Sequence, residues 1–350
     1  MRFFINFDHG GAIGGSVIPD NAQAPGRVAV SVDGIRIAEV TAQIVDAGYV
    51  SAGWHSTGQC TFWVTEDHIP TLAEIPRLEL YDVDTNLLIY RRVPKDALVE
   101  KRVLLINTGI HPESAVQGHL FGHFRQSYFG IQKLSEEMMH SVCGQNHEML
   151  NSCLFSGALT VPRFEHFFQG ENDLTVALVH DPHVEMATRL LWLRDRAAMA
   201  ADPAWSWRLG PLAEAATFVS ACDLGDLKGL KRLFRMMPLP AYNLLYNPLT
   251  RQFGTRMPDD RVHPGNSIVA IEILARVGIV GHRAFFGAFM DTLQDRLGLD
   301  LPVPVPAPVP EEARDLAQRL RQVKAVEDML VFDVAMSDAV RSAVSKGWSA

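Results

Sequence analysis

Histidines, carboxylates and one short loop are the residues of this chain that could do chemistry. His180-Asp181-Pro182-His183 places two imidazoles three residues apart, a spacing at which both reach one metal ion only on a helix. Pro182 interrupts the segment between them, so no metal pair is expected there. His119 and His123 are four apart on the helix expected after the first buried strand, hence on one face. A zinc site would need a third ligand such as His147 or Glu165. No spacing demands one, and the pair is read as partly buried polar residues beside a cleft. Phe164-Glu165-His166-Phe167-Phe168 is read as surface packing. The four cysteines, Cys60, Cys143, Cys153 and Cys222, show no CxxC or other metal spacing and are expected to be free, buried thiols. The loop Thr108-Gly109-Ile110-His111-Pro112-Glu113-Ser114 follows an apolar run and leads into a helix. Backbone N–H groups in that setting can hold an anion. Gly10-Gly11-Ala12-Ile13-Gly14-Gly15 instead lies between two strands, so its glycines are read as turn chemistry rather than a phosphate loop. The chain contains no GxSxG, no HExxH, no Walker lysine loop and no dinucleotide fingerprint, which counts against hydrolase, metalloprotease, nucleotidase and dehydrogenase chemistry.

The elements that must position these residues fall into two parts. Up to about residue 93 the pattern is that of strands. The start of the chain reads as a strand rather than a signal peptide. Residues 28–32 and 35–40 alternate around Asp33-Gly34, a strong signal for a hairpin with a type I′ turn. Further short strands are expected at 60–64, 77–81 and 87–90, and even spacing of this kind suggests a small sandwich. Near Pro94 the pattern changes. Residues 102–107 and 174–179 are continuous apolar runs, as expected of strands buried on both faces. The second leads through Asp181-Pro182 into a helix from His183 to about Arg196, with Pro favoured at the first turn. Helical periodicity recurs at 212–219, 227–236, 268–277 and 284–297. The alternating prolines of 302–310 form a stiff spacer that returns a last helical pair to the domain. Two domains are expected, a β-sandwich accessory module at 1–95 and an α/β domain at 96–350.

Composition bounds the partners. A formal charge of −8 over 350 residues argues against nucleic acid, whose phosphates need a surplus of Lys and Arg, and against an anionic membrane surface, although a local basic groove remains compatible with that average. No apolar run is long enough to cross a membrane. An acidic chain with free thiols and no export signal is expected in the cytoplasm, and its style is bacterial. The six tryptophans, Trp54, Trp63, Trp192, Trp205, Trp207 and Trp348, are scattered. Exposed aromatics on a sandwich can stack on sugars, but core positions are the expectation for them.

Several stretches from residue 102 to about 340 resemble, in order and spacing, the carbohydrate sulfotransferases that include the heparan and uronyl 2-O-sulfotransferases and bacterial relatives. They are Leu105 to Ser114, Leu178-Val179-His180-Asp181-Pro182 with Thr188, Tyr246 to Gly254, Ile271 to Ile279 with the helix to Leu299, and Glu327 to Phe332. The N-terminal sandwich is similar to accessory modules of bacterial polysaccharide-modifying enzymes. The resemblance implies a P-loop-like α/β sulfotransferase fold with many helices, 3′-phosphoadenylyl sulfate as donor and a sugar hydroxyl as acceptor. The donor-binding positions carried over are Thr108, Gly109, His111, Ser114, His180 and Thr188.

This chain departs from that pattern at the residues that do the work. The loop has no Lys to neutralise the leaving phosphate. The family's Arg is His180, its next Arg falls at Glu185, and its base His falls at Ala158, which cannot move a proton. No catalytic residue, metal or cofactor is therefore assigned. A non-catalytic or impaired protein that binds a glycan or protein partner is expected. The alternative is an active transferase using 3′-phosphoadenylyl sulfate with rearranged residues such as His111, His119 or His123. Thr108, Gly109, His111, Glu113, His180 and Glu185 sum to a negative formal charge, so a neutral, acidic or filled mouth is expected unless Arg189, Arg251 or Arg256 reaches it.

Overall fold

Alternation of apolar and polar residues builds the first part of the computed structural model, which describes residues 1–143 and 151–348. Eight strands form there: β1 (Arg2–Asp8), β2 (Ala12–Ile18), β3 (Arg27–Val32), β4 (Ile35–Thr41), β5 (Ile44–Val45), β6 (Gln59–Thr65), β7 (Leu78–Asp82) and β8 (Leu88–Arg92). They make two antiparallel four-stranded sheets, ordered β1-β2-β6-β5 and β4-β3-β7-β8. Phe3, Ile5, Val28, Val30, Phe62, Val64, Leu78 and Leu80 are buried, each burial contributing roughly 1.5–3 kcal/mol. The β3–β4 turn has Asp33 at φ +51° and Gly34 at φ +78°, as a type I′ hairpin requires.

The glycine-rich stretch is only partly a turn. Gly10, at φ +83°, turns the chain, but Gly14 and Gly15 lie inside β2. A Cβ on Gly14 would stand 2.3 Å from the Phe7 ring, and one on Gly15 2.4 Å from the Phe4 carbonyl oxygen. Glycine is needed at these strand positions because a ring and a backbone approach that closely.

The second part is built on a parallel sheet of β9 (Arg102–Ile106), β10 (Gln126–Phe129), β11 (Cys153–Gly157), β12 (Asp173–Val179) and β13 (Ile279–His282), ordered β10-β11-β9-β12-β13. The molecule is thus mixed α/β, with antiparallel sheets and one five-stranded parallel sheet. β9 and β12 are adjacent and parallel, with Ile106 opposite Ala177, so Asn107 and Val179 end together as expected. Both faces of this sheet are covered. Val103, Leu105, Val176 and Leu178 pack with Val116, Leu120 and Phe289. Leu104, Ile106, Ala177 and Val179 belong to a cluster with Phe253, Ile273 and Met336. The chain leaves β9 toward β10 on one side and β12 toward β13 on the other. This divergence makes a topological switch point at the strands' carboxyl ends, where open α/β sheets bind ligands.

The sandwich and the parallel sheet share one contiguous apolar cluster, which also includes Phe3, Phe62 and Leu80. Arg91 of β8 joins them further. Its guanidinium donates to the carbonyls of Phe121 and Phe124, lies 3.8 Å from the Phe121 ring centre, and pairs with Glu79 at 2.8 Å. The helix after β12 spans Pro182–Arg194, and Asp181 caps it by accepting from the His183 and Val184 N–H groups at 2.9 and 3.1 Å. After the proline spacer, helices Glu311–Leu320 and Lys324–Gly347 return to pack Leu316, Leu320 and Leu330 with Leu190, Leu193 and Leu230. No helix among the described residues is long and apolar enough to cross a membrane.

Candidate functional site

The switch point between β9 and β12, here termed the mouth, is flanked by the loop after β9 and the first turn of helix Pro182–Arg194. The loop is anchored at its base. Asn107 N–H donates to the Gly157 carbonyl at 2.9 Å, its carbonyl accepts from Gln252 Nε2 at 2.9 Å, and the Thr108 hydroxyl donates to the Leu178 carbonyl. A Cβ on Gly109 would come within 3.2 Å of Glu185 Oε2. Glu185 is the central side chain of the mouth. It is buried, and its Oε1 accepts the Ile110 N–H at 2.7 Å. The same oxygen takes the Arg189 guanidinium at 2.7 Å, one helical turn on, and Arg189 also donates to the Leu244 carbonyl at 3.0 Å. A carboxylate of the protein itself therefore uses a loop N–H that an incoming anion would need.

A second charged group lies beside it. His180 Nε2 approaches Glu113 Oε1 to 2.8 Å, but obliquely, without an aligned hydrogen bond. Arg283, which follows β13, reaches the other oxygen of Glu113 at 3.4 Å. Burial pushes the Glu113 carboxyl up, but His180 and Arg283 outweigh it and hold the group below the usual carboxylate range. Glu113 and Glu185 are thus balanced by Arg283 and Arg189, and the mouth is formally neutral rather than negative. Arg189 was one of the expected cations and Arg283 was not. Arg251 instead donates to the carbonyls of Pro258 and Asp260, and Arg256 is exposed.

The remaining positions separate. Thr108, Gly109 and His180 line the mouth. His111 is exposed in the loop, and Ser114 is exposed at the first turn of helix Ser114–Phe121. The Thr188 hydroxyl is turned back onto its own helix and donates to the Val184 carbonyl at 2.8 Å. Ala158 lies just past β11 and donates its N–H to Gln132 Oε1 at 3.1 Å. The adjoining cavity of about 160 Å³, lined by Ile131, Leu159 and Phe164, is smaller than ordinary ligand pockets of roughly 300–1,000 Å³.

His119 and His123 do not share a helix face. The helix ends at Phe121, and the His123 carbonyl accepts from the N–H of Val99, before the start of β9. His123 is therefore at the opposite end of the sheet from the mouth and cannot act there. Glu165 pairs with Arg276 at 2.9 Å, and His147 lies outside the described residues. Among the described residues, no group of three or more His, Cys, Asp or Glu is placed to hold a metal ion.

Two further expectations change. Trp54, Trp63, Trp205 and Trp207 are exposed, not core. Cys222 is only half-buried, whereas Cys60, Cys143 and Cys153 are buried and all four are free. The stretch Asn247 to Arg251 begins a helix, Pro248–Gly254, whose Leu249 and Thr250 N–H groups donate to the buried Asp333 at 2.8 and 2.7 Å. Among known proteins, the chain matches no family model and no curated protein. The loop after β9 has no Lys, and its Ile110 N–H is taken by Glu185.

Proposed function

We propose that this chain is a sulfotransferase-like protein whose donor site is closed by its own carboxylate, and that it works by binding a glycan or a protein partner rather than by transferring sulfate. The observation that carries this reading is the Ile110 N–H donating to Glu185 Oε1 at 2.7 Å, with Arg189 neutralising the same carboxylate. A phosphate arriving there must displace Glu185 from the Ile110 N–H and from Arg189. Each charged hydrogen bond so lost costs roughly 1.5–3 kcal/mol. The absence of a base supports the same reading, because Ala158 has no group to accept a proton and loss of a general base typically costs roughly 10²–10⁴ in rate. Calorimetric titration of the full chain with adenosine 3′,5′-bisphosphate at moderate salt is expected to show no binding below ~100 μM, given that competition.

One observation favours a second reading. Arg189 and Arg283 both stand at the mouth. Displacement of the two glutamates would leave two guanidinium groups facing a donor, as an active transferase with rearranged residues requires. Micromolar binding in the same titration would replace the first reading with this one.

A further inference from the structure

The outer face of sheet β1-β2-β6-β5 carries aromatic rings where a solvent-facing strand normally carries polar side chains. Phe3 and Ile5 of β1 are buried, and Phe4 between them points the other way. Tyr49, from helix Ala47–Ser51, and Trp54, from the loop after it, lie beside Phe4. The three rings are nearly parallel, with interplanar angles of 10°, 10° and 17°, and their centres form a triangle with sides of 6.3, 6.4 and 5.9 Å. Three piled rings at van der Waals separation would put the outer pair about 7 Å apart or more. Every side is shorter, so the rings are not a single pile but are offset from one another.

A second aromatic pair continues the surface. A bulge in β1 between Ile5 and Phe7 brings Phe7 opposite Gly14, and Trp63 of β6 lies opposite Gly14 on its other side. The Phe7 and Trp63 rings meet edge to face at 5.9 Å. Gly14 is what lets the Phe7 ring lie against the strand, since any Cβ there would collide with it. Phe4 faces Ser16, two residues from Gly14 along β2, so the two aromatic groups are roughly 7 Å apart along the strand. Trp54 is 39% exposed and Trp63 51% exposed.

Charge narrows the occupant. The Arg2 guanidinium carbon lies 4.3 Å over the Trp54 ring, and Arg2 makes no ion pair among the described residues. An apolar ring surface with an unpaired guanidinium complements a molecule that has flat C–H faces and carries carboxylates. We propose that this sheet face binds an acidic polysaccharide, a chain of uronic acid residues whose sugar faces stack on the exposed rings and whose carboxylate meets Arg2. The proposal names the partner that the closed mouth leaves open, but stands on this face alone.

The test is affinity electrophoresis of the full chain in gels containing polygalacturonate, alginate or hyaluronate, with neutral dextran as comparison. Retardation by at least one acidic chain and not by dextran is expected. Trp63→Ala and Arg2→Gln should each weaken it about tenfold, as loss of one aromatic or charged contact does. Trp207→Ala, exposed elsewhere, should not change it. Melting temperatures of the variants serve as the folding control, and Arg2→Gln keeps the three aromatic rings themselves. Absence of retardation, equal retardation by dextran, or unchanged retardation of Trp63→Ala and Arg2→Gln overturns the proposal. A dimer seen in sedimentation and lost in Trp63→Ala, without any polysaccharide effect, overturns it in favour of a second copy of the chain. Titration with the nucleotide bisphosphate reads only the mouth, so failure here and failure of the proposed function are separate results.

Discussion

Asp333 and Glu185 are both carboxylates that accept backbone N–H groups, and their surroundings differ. Asp333, in helix Lys324–Gly347, is 1% exposed and accepts from the Leu249 N–H, the Thr250 N–H and the Thr250 hydroxyl at 2.8, 2.7 and 2.7 Å. The exchange is reciprocal, because Asn247 Oδ1 accepts from the N–H groups of Phe332 and Asp333 at 3.0 and 3.1 Å. Burial pushes the Asp333 carboxyl up, against the pull of those donors. Glu185 instead accepts one loop N–H and one guanidinium at the carboxyl ends of β9 and β12. The first arrangement locks a helix start to the last helix with donors that no ligand can reach. The second repeats the chemistry where a ligand could compete for it. A carboxylate on backbone N–H groups is therefore not a signature of either role, and access decides which role it has.

The sharpest way to break this contrast is to remove both acids. Asp333→Ala leaves two buried N–H groups unsatisfied at roughly 1–3 kcal/mol each, so a loss of about 3–5 kcal/mol is expected in urea unfolding. A loss below about 1 kcal/mol would mean that water or another group replaces Asp333 and the lock is not one. Glu185→Ala removes a partner from Ile110 and from the largely shielded Arg189, which keeps the Leu244 carbonyl, and about 2–3 kcal/mol is expected. Its more telling effect is a gain. With an N–H and a guanidinium released, sulfate should raise the melting temperature of Glu185→Ala and leave the parent unchanged. Equal sulfate responses in the two proteins would show that Glu185 is not what closes the loop.

The two carboxylates also differ in how much of their role the sequence carried. The i,i+4 spacing of Glu185 and Arg189 makes their pairing legible, but contact with Ile110 depends on how the loop lies against the helix, 75 residues away. Arg283 reaches Glu113 across 170 residues, and no local pattern announces that. β9 and β12 were legible because strands buried on both faces are written as continuous apolar runs. β10 and β11 were not, since Gln126, Ser127 and Ser156 are buried polar residues within them. Gln126 donates to the Ile89 carbonyl and Ser156 accepts from Gln117, so tertiary partners make polarity tolerable there. The strand glycines of β2 and the outward tryptophans were misread for one reason: composition reports residue types, while the direction of a side chain follows from register.

The smallest expected effect concerns Glu113, the acid of the mouth that touches no loop N–H in this arrangement but sits between His180 and Arg283. Its folded carboxyl is held below the usual range, burial notwithstanding. A group with a depressed folded pKa contributes stability that is fully present above its unfolded value, about 4.3 for Glu. That contribution is lost as pH falls through the folded value. The parent should therefore lose stability between pH 6 and pH 3 more steeply than Glu113→Gln, which has no proton to take up there. The difference should be confined to the region below about pH 5 and should shrink at high salt only modestly, because the group is mostly shielded from solvent. Unfolding free energies of the two proteins at matched pH values measure it. Parallel profiles would place Glu113 outside the influence of His180 and Arg283, and would leave Glu185 as the one acid that sets the charge of the mouth.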